Sequence, residues 1–157
     1  MKCSLWVIGK TTESYLQEGI QHYCKKLPHY IPFEYLEIPD VKNGGKLSHD
    51  LLKKEEEKLI FSKLQSTDHL ILLDENGEQF TSRQFANFLQ KKWNAVSGNV
   101  VFLIGGAFGF SDAIYQRANG KVSLSSMTLS HQMVRLFAVE QIYRACSILK
   151  GEKYHHD

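Results

Sequence analysis

Residues 100–109 constrain this chain more than any other stretch. They read Val-Val-Phe-Leu-Ile-Gly-Gly-Ala-Phe-Gly. A short apolar run with no polar break reads as a strand buried on both faces, as in a parallel sheet covered by helices. The glycines that follow let the backbone turn sharply and let a ligand approach, because no Cβ stands in the way. Ser111-Asp112 then offers a helix start. Strand, glycine bend and helix together form the usual mouth of a ligand site in an α/β protein. A tight turn without a ligand has the same pattern.

The rest of the chain alternates strand and helix signals. Residues 3–8 read as the first strand. Thr12 is placed to cap a helix over 13–26, with Tyr15, Ile20, Tyr23 and Leu27 on its apolar side. Pro28 and Pro32 bracket a break before a strand at 33–38. Residues 47–64 read as a charged helix, with Leu51, Leu52, Leu59, Ile60 and Leu64 on one side and residues 53–58 on a solvated one. A strand at 69–73 is closed by the polar turn Asp-Glu-Asn-Gly-Glu at 74–78. If that strand lies beside 100–104, both loops open at one sheet edge, where ligands sit. Ser82 caps a helix to residue 93 with Phe85, Phe88 and Leu89 inward. A short helix at 112–118, a strand at 121–124, a hydroxyl-rich loop at 125–130 and a long helix at 131–149 complete the chain. The class is α/β, with a mostly parallel sheet flanked by helices in a single domain over residues 1–157.

The last helix carries two apolar stripes: Leu136, Val139, Tyr143 and Cys146, then Val134, Ala138, Ile142, Ala145 and Leu149. One stripe suffices for packing on a sheet. The second calls for cover by another part of the fold or by a second subunit, and a homodimer is the expectation.

Several chemistries are disfavoured. Gly9-Lys10-Thr11 lacks the earlier glycine of a phosphate loop, since position 4 is Ser4. The 105–109 bend is not G-x-G-x-x-G, and no acid lies between Asp112 and Glu140 to hold a ribose. The histidines are scattered without metal-ligand spacing, so no metal is expected. No G-x-S-x-G occurs. Cys3, Cys24 and Cys146 form no C-x-x-C, which fits a reducing cytoplasm. No apolar run approaches the roughly 20 residues that span a bilayer, so no membrane partner is expected. A formal net charge of +2 permits nucleic-acid contact without arguing for it. What remains is a set of loops at one sheet edge, rich in glycine and hydroxyls. Such a site suits a cofactor with an uncharged aromatic part held by main-chain hydrogen bonds, as adenine is in S-adenosylmethionine.

Four separated motifs then point to a family. They are Leu-Ile-Gly-Gly-Ala-Phe-Gly at 103–109, Leu-Ser-Ser-Met-Thr-Leu-Ser-His-Gln-Met-Val-Arg at 124–135, Glu-Gln-Ile-Tyr-Arg-Ala at 140–145, and Tyr-His-His at 154–156. In this order they closely resemble the RlmH family of small SPOUT-class methyltransferases, over the whole chain. The resemblance implies an α/β fold with a C-terminal trefoil knot, a homodimer, and methylation of N3 of a pseudouridine in 23S ribosomal RNA within the ribosome. It implies S-adenosylmethionine contacts at Leu73, Gly105, Leu124, Ser125, Ser126, Met127, Thr128 and Leu129. Ser130 stands where the family often has proline, which would loosen the entry to the last helix.

Methyl transfer to a ring nitrogen requires alignment and loss of the N3 proton. Tyr154, His155 and His156 are candidates for substrate handling, with His131 and Glu140 behind them, and His155 foremost. Arg144 and Arg135 either hold RNA phosphate or are paired within the protein, Arg144 with Glu140 four residues earlier. Two other classes fit the sequence. A non-catalytic ribosome- or RNA-binding module predicts no S-adenosylmethionine binding. A small-molecule methyltransferase on the same scaffold predicts turnover on a free nucleoside.

Overall fold

The computed structural model describes residues 2–156. Five strands, β1 (Lys2–Ile8), β2 (Phe33–Ile38), β3 (His69–Gln79), β4 (Asn99–Ile104) and β5 (Gly120–Ser123), form one sheet in the order β2-β1-β4-β3-β5. Every pairing is parallel. Helices α1 (Ser14–Lys26), α2 (His49–Lys63), α3 (Ser82–Ala95), α4 (Asp112–Arg117) and α5 (Met133–Leu149) lie between and after the strands.

The two-residue period of a strand sorts its side chains into two cores. Cys3, Leu5 and Val7 of β1, with Val100, Phe102 and Ile104 of β4, pack with Ile20, Phe85, Leu89 and the apolar residues of α5. Trp6 and Ile8, with Val101 and Leu103, pack with Ile60 of α2 and Ile114 of α4. The sheet is therefore covered on both faces, by α1, α3 and α5 on one and by α2 and α4 on the other. That is why β4 reads as an unbroken apolar run.

Local signals explain most helix starts. Ser48 and Ser111 accept the Leu51 and Ile114 amides as N-caps of α2 and α4. Thr81, rather than Ser82, caps α3, in a capping box with Gln84. Thr12 does not cap α1; its amide and hydroxyl both donate to Gln132 Oε1 across the fold. Tyr15 is exposed, and Leu16 and Ile20, four apart, form the inward side of α1.

Three features bear on function. First, α2 is turned relative to the expected apolar side: Leu51 is exposed, whereas Glu56 and Ile60 face inward. A spacing of four brings Glu56 onto the face of Ile60, against its reading as solvated. Second, β3 does not stop at Leu73. Leu73 and Glu78 both pair with Val122, so residues 74–77 bulge out of the ladder and the strand resumes. Third, the two stripes of α5 are largely covered within the chain. Ala138, Val139, Ile142, Tyr143, Ala145 and Cys146 are all buried, because α5 packs against both α1 and α3.

Candidate active site

Because β3 and β4 are neighbours in register from His69–Val100 to Leu73–Ile104, their carboxyl ends finish side by side. The glycine loop after β4, the β3 bulge and the 123–131 segment surround a cavity of about 640 Å³ there. Leu73, Gly105, Leu124, Ser125, Met127, Thr128 and Leu129 all line it. Ser126 lies outside the lining, where its hydroxyl accepts from Gln79 Nε2 at 2.7 Å.

Glycine is required at particular points. Gly109 has a φ of +83°, and its amide donates to Gly106 O, closing the loop. A Cβ at Gly105 would stand 3.1 Å from the Phe110 ring, and one at Gly106 would stand 2.5 Å from Glu56 Oε2. In the β3 bulge, next to the lining residues 73–76, a Cβ at Gly77 would lie 2.6 Å from the Val122 backbone, so only glycine lets the bulge rejoin β5.

The bulge brings in charge that sequence reading missed. Asp74 and Glu75 line the cavity, with Asp74 Oδ2 accepting from Tyr115 and Oδ1 from the Asn76 amide. Burial and Asp74 push the Tyr115 hydroxyl up to about 12. Phe108, Tyr115 and His131 also line the cavity. The sequence places the polar turn at 74–78 at the ligand edge of the sheet, but it does not show that the acidic side chains of Asp74 and Glu75 line the cavity. Ser130 tightens the entry to α5: its hydroxyl accepts the Met133 amide at 3.0 Å and its carbonyl accepts that of Val134. The loosening expected from the missing proline is not found.

A second cluster forms at the other end of α5. Glu140 Oε1 accepts from Arg144 Nη2 at 2.6 Å, from Arg144 Nε at 3.1 Å and from the Tyr154 hydroxyl at 2.9 Å. The Arg144 guanidinium lies 4.6 Å from the Tyr154 ring centroid, and its Nη1 reaches His155 Nδ1 at 3.2 Å. A guanidinium only donates, so Nδ1 accepts, and the proton of a neutral His155 ring sits on Nε2. Burial, followed by its bonds to Tyr23 and Glu140, pushes the Tyr154 hydroxyl far above its ordinary range. Arg144, Tyr154 and His155 are thus brought together, but none of them lines the cavity. Val134, which does, is ten residues before Arg144, about 15 Å along a helix.

Arg135 belongs to neither group. It is 1% exposed and donates to the carbonyls of Ile8, Gly9 and His131 and to Thr11 Oγ1, with Glu37 at 3.8 Å. Its role is structural, which removes it from the candidates for RNA phosphate. Among the described residues, no group of three or more His, Cys, Asp or Glu is arranged to hold a metal ion. No described helix is long and apolar enough to cross a membrane.

A parallel α/β sheet with a glycine-walled cavity at its carboxyl edge has a counterpart among known families. Residues 1–155 match the family model described as predicted SPOUT methyltransferase, so the chain belongs to the SPOUT methyltransferases and is an enzyme of methyl transfer. It is similar along its length to proteins named ribosomal RNA large subunit methyltransferase H. The one from Cytophaga hutchinsonii is 68% identical, over 99% of this chain and 100% of the relative. Those from Parabacteroides distasonis and Flavobacterium johnsoniae are 52% and 54% identical, over 100% of both chains and 99% of both chains respectively.

Proposed function

We propose that this enzyme transfers the methyl group of S-adenosylmethionine to N3 of a pseudouridine in 23S ribosomal RNA, acting in the cytoplasm on assembled ribosomes. Full-length identity with large-subunit ribosomal RNA methyltransferases supports the substrate. The observation that carries the cofactor is the cavity: its 640 Å³ falls in the range of about 300–1,000 Å³ usual for small-molecule sites. Its walls combine glycine backbone, hydroxyls and apolar side chains, as an adenosyl group needs.

When bound, S-adenosylmethionine supplies an electrophilic methyl group on a positively charged sulfur. Leu73, Gly105, Leu124, Ser125, Met127, Thr128 and Leu129 form its walls, and Ser126 holds the loop from outside through Gln79. Asp74 and Glu75 favour positive charge there.

Arg144, Tyr154 and His155 handle the RNA. Arg144 holds the His155 ring through Nδ1, which fixes it beside Tyr154 as part of one RNA-facing cluster. Tyr154 keeps its proton, and Glu140 is saturated by donors, so neither is set as the base. Water takes the N3 proton while these groups fix the ring in line. Since this cluster and the cavity lie at opposite ends of α5, we infer a homodimer in which the tail of one subunit serves the cavity of the other.

The test is transfer of labelled methyl from S-adenosylmethionine to 70S ribosomes lacking the modification. Incorporation at a single pseudouridine is expected. Its absence, or turnover on free nucleosides alone, would overturn the proposal.

A further inference from the structure

One buried ionisable group has no task in the reaction described above. Glu56, on the inward face of α2, is 8% exposed, and no protein hydrogen-bond donor reaches its carboxyl among the described residues. Its oxygens lie directly beneath the glycine loop, 2.5 and 2.9 Å from the place a Cβ would take on Gly106. The next residue of α2 grips the end of the same loop: Glu57 Oε1 accepts from the Ser111 hydroxyl at 2.7 Å. Asp40 stands beneath the neighbouring turn in the same way, its Oδ1 2.6 Å from the Cβ position of Gly9. The two carboxyls thus underlie glycine turns at the ends of the adjacent strands β1 and β4.

We propose that Glu56 is a positioning residue for cofactor binding: packed beneath Gly106, its side chain sets the shape of the 105–109 loop and, through it, the affinity of the cavity. This rests on the reading of the cavity as the S-adenosylmethionine site. The charged and titratable groups around Glu56 are Asp40 after β2, and Lys53 and Glu57 on its own helix. Lys53 is engaged with Asp50 at 3.8 Å, and Glu57 with Ser111. The end of β1, the glycine loop and α4 bring only Ile8, Gly105, Gly106, Gly109, Phe110, Ser111 and Ile114 to this place, none of them ionisable.

Burial, reinforced by Asp40, pushes the Glu56 carboxyl up to about 7. An uncharged carboxyl packs on glycine backbone at far less cost than a charged one. A carboxylate there has no protein donor and faces a second carboxylate, so it is drawn further toward solvent and the loop loses its support. The sign follows from a raised acid: the packed form is favoured below about pH 7 and weakened above it.

The experiment is calorimetric titration of S-adenosylmethionine into wild type, Glu56→Gln and Glu56→Ala at about pH 6 and about pH 8. Circular dichroism checks folding, and hydrogen exchange of the 105–109 amides is followed without ligand. The ratio of wild-type to Glu56→Gln affinity cancels titration of the ligand's own amino group. That ratio is expected to fall up to about tenfold between the two pH values, tenfold corresponding to a one-unit shift on binding. Glu56→Gln should hold its loop protection at both, and Glu56→Ala should bind more weakly than Glu56→Gln at both. Parallel pH profiles for wild type and Glu56→Gln, with Glu56→Ala behaving like wild type, would overturn the role of Glu56. If no variant binds S-adenosylmethionine, yet loop exchange depends on pH in wild type and not in Glu56→Gln, the cofactor reading fails while the loop-shaping role stands.

Discussion

Arg135 donates from Nη2 to the carbonyl oxygen of Ile8 at 2.7 Å, joining the last helix to the end of the first strand. The same guanidinium takes the carbonyls of Gly9 and His131. Removing it strands several buried acceptors. Arg135→Ala is therefore expected to lower stability by about 3 kcal/mol or more. Arg135→Lys should recover less than half of the loss, since an ammonium cannot span the fork of acceptors. Urea unfolding midpoints check both.

Gly77 is the hinge of the cavity wall formed by the β3 bulge. Gly77→Ala drives a methyl group into the Val122 backbone. The expected cost is about 2 kcal/mol. The wall carrying Leu73 and Asp74 moves with it, so S-adenosylmethionine affinity should fall as well. Thermal unfolding and calorimetry on the same sample read the two effects.

Arg144 should separate binding from transfer. It lies outside the cavity and holds Glu140, Tyr154 and His155 together. Arg144→Ala is expected to reduce methyl transfer to ribosomes about a hundredfold while leaving cofactor affinity within about twofold. Tyr154→Phe removes one hydroxyl from the same cluster, and a loss of about tenfold is expected. Equal losses in cofactor affinity would contradict the division between cavity and tail.

The thiols should be silent in the native protein. Burial pushes Cys146 up to about 12, Cys24 up to about 11 and Cys3 further still. A thiol-reactive disulfide reagent at about pH 8 should find almost no thiolate before unfolding and all three cysteines after it. Rapid labelling of Cys3 or Cys146 in the folded state would contradict this packing.

These residues also show what was legible in the sequence. The positions of all five strands were: β1, β4 and the start of β3 leave apolar runs because they are buried on both faces, while the edge strands β2 and β5 were marked by the breaks and turns that flank them. The glycine loop and the hydroxyl-rich loop after β5 were legible as loops at one sheet edge, where they line the cavity, because missing side chains and clustered hydroxyls are local signals. The roles of Glu56 and Asp74 were not. Each depends on which way an element is turned once it packs, and composition favours the solvated reading of a charged residue. The two stripes of α5 were read as needing two covers, but a single sequence does not say that α1 and α3 of the same chain pack against this helix. Arg135 was ambiguous for the same reason, since its acceptors lie 126 and 127 residues earlier.

That separation also governs when the site comes into being. The 123–131 wall of the cavity is anchored by a helix whose buried guanidinium needs carbonyls from the first turn after β1. Contacts so distant in sequence carry a large loop-closure cost and form late. During synthesis, β1 to β4 emerge with a sheet edge already able to pair, whereas the 123–131 wall is expected to take its final shape only once α5 has left the exit tunnel and docked. Closure of the cavity is therefore expected to be the last event in the making of this fold rather than an early one.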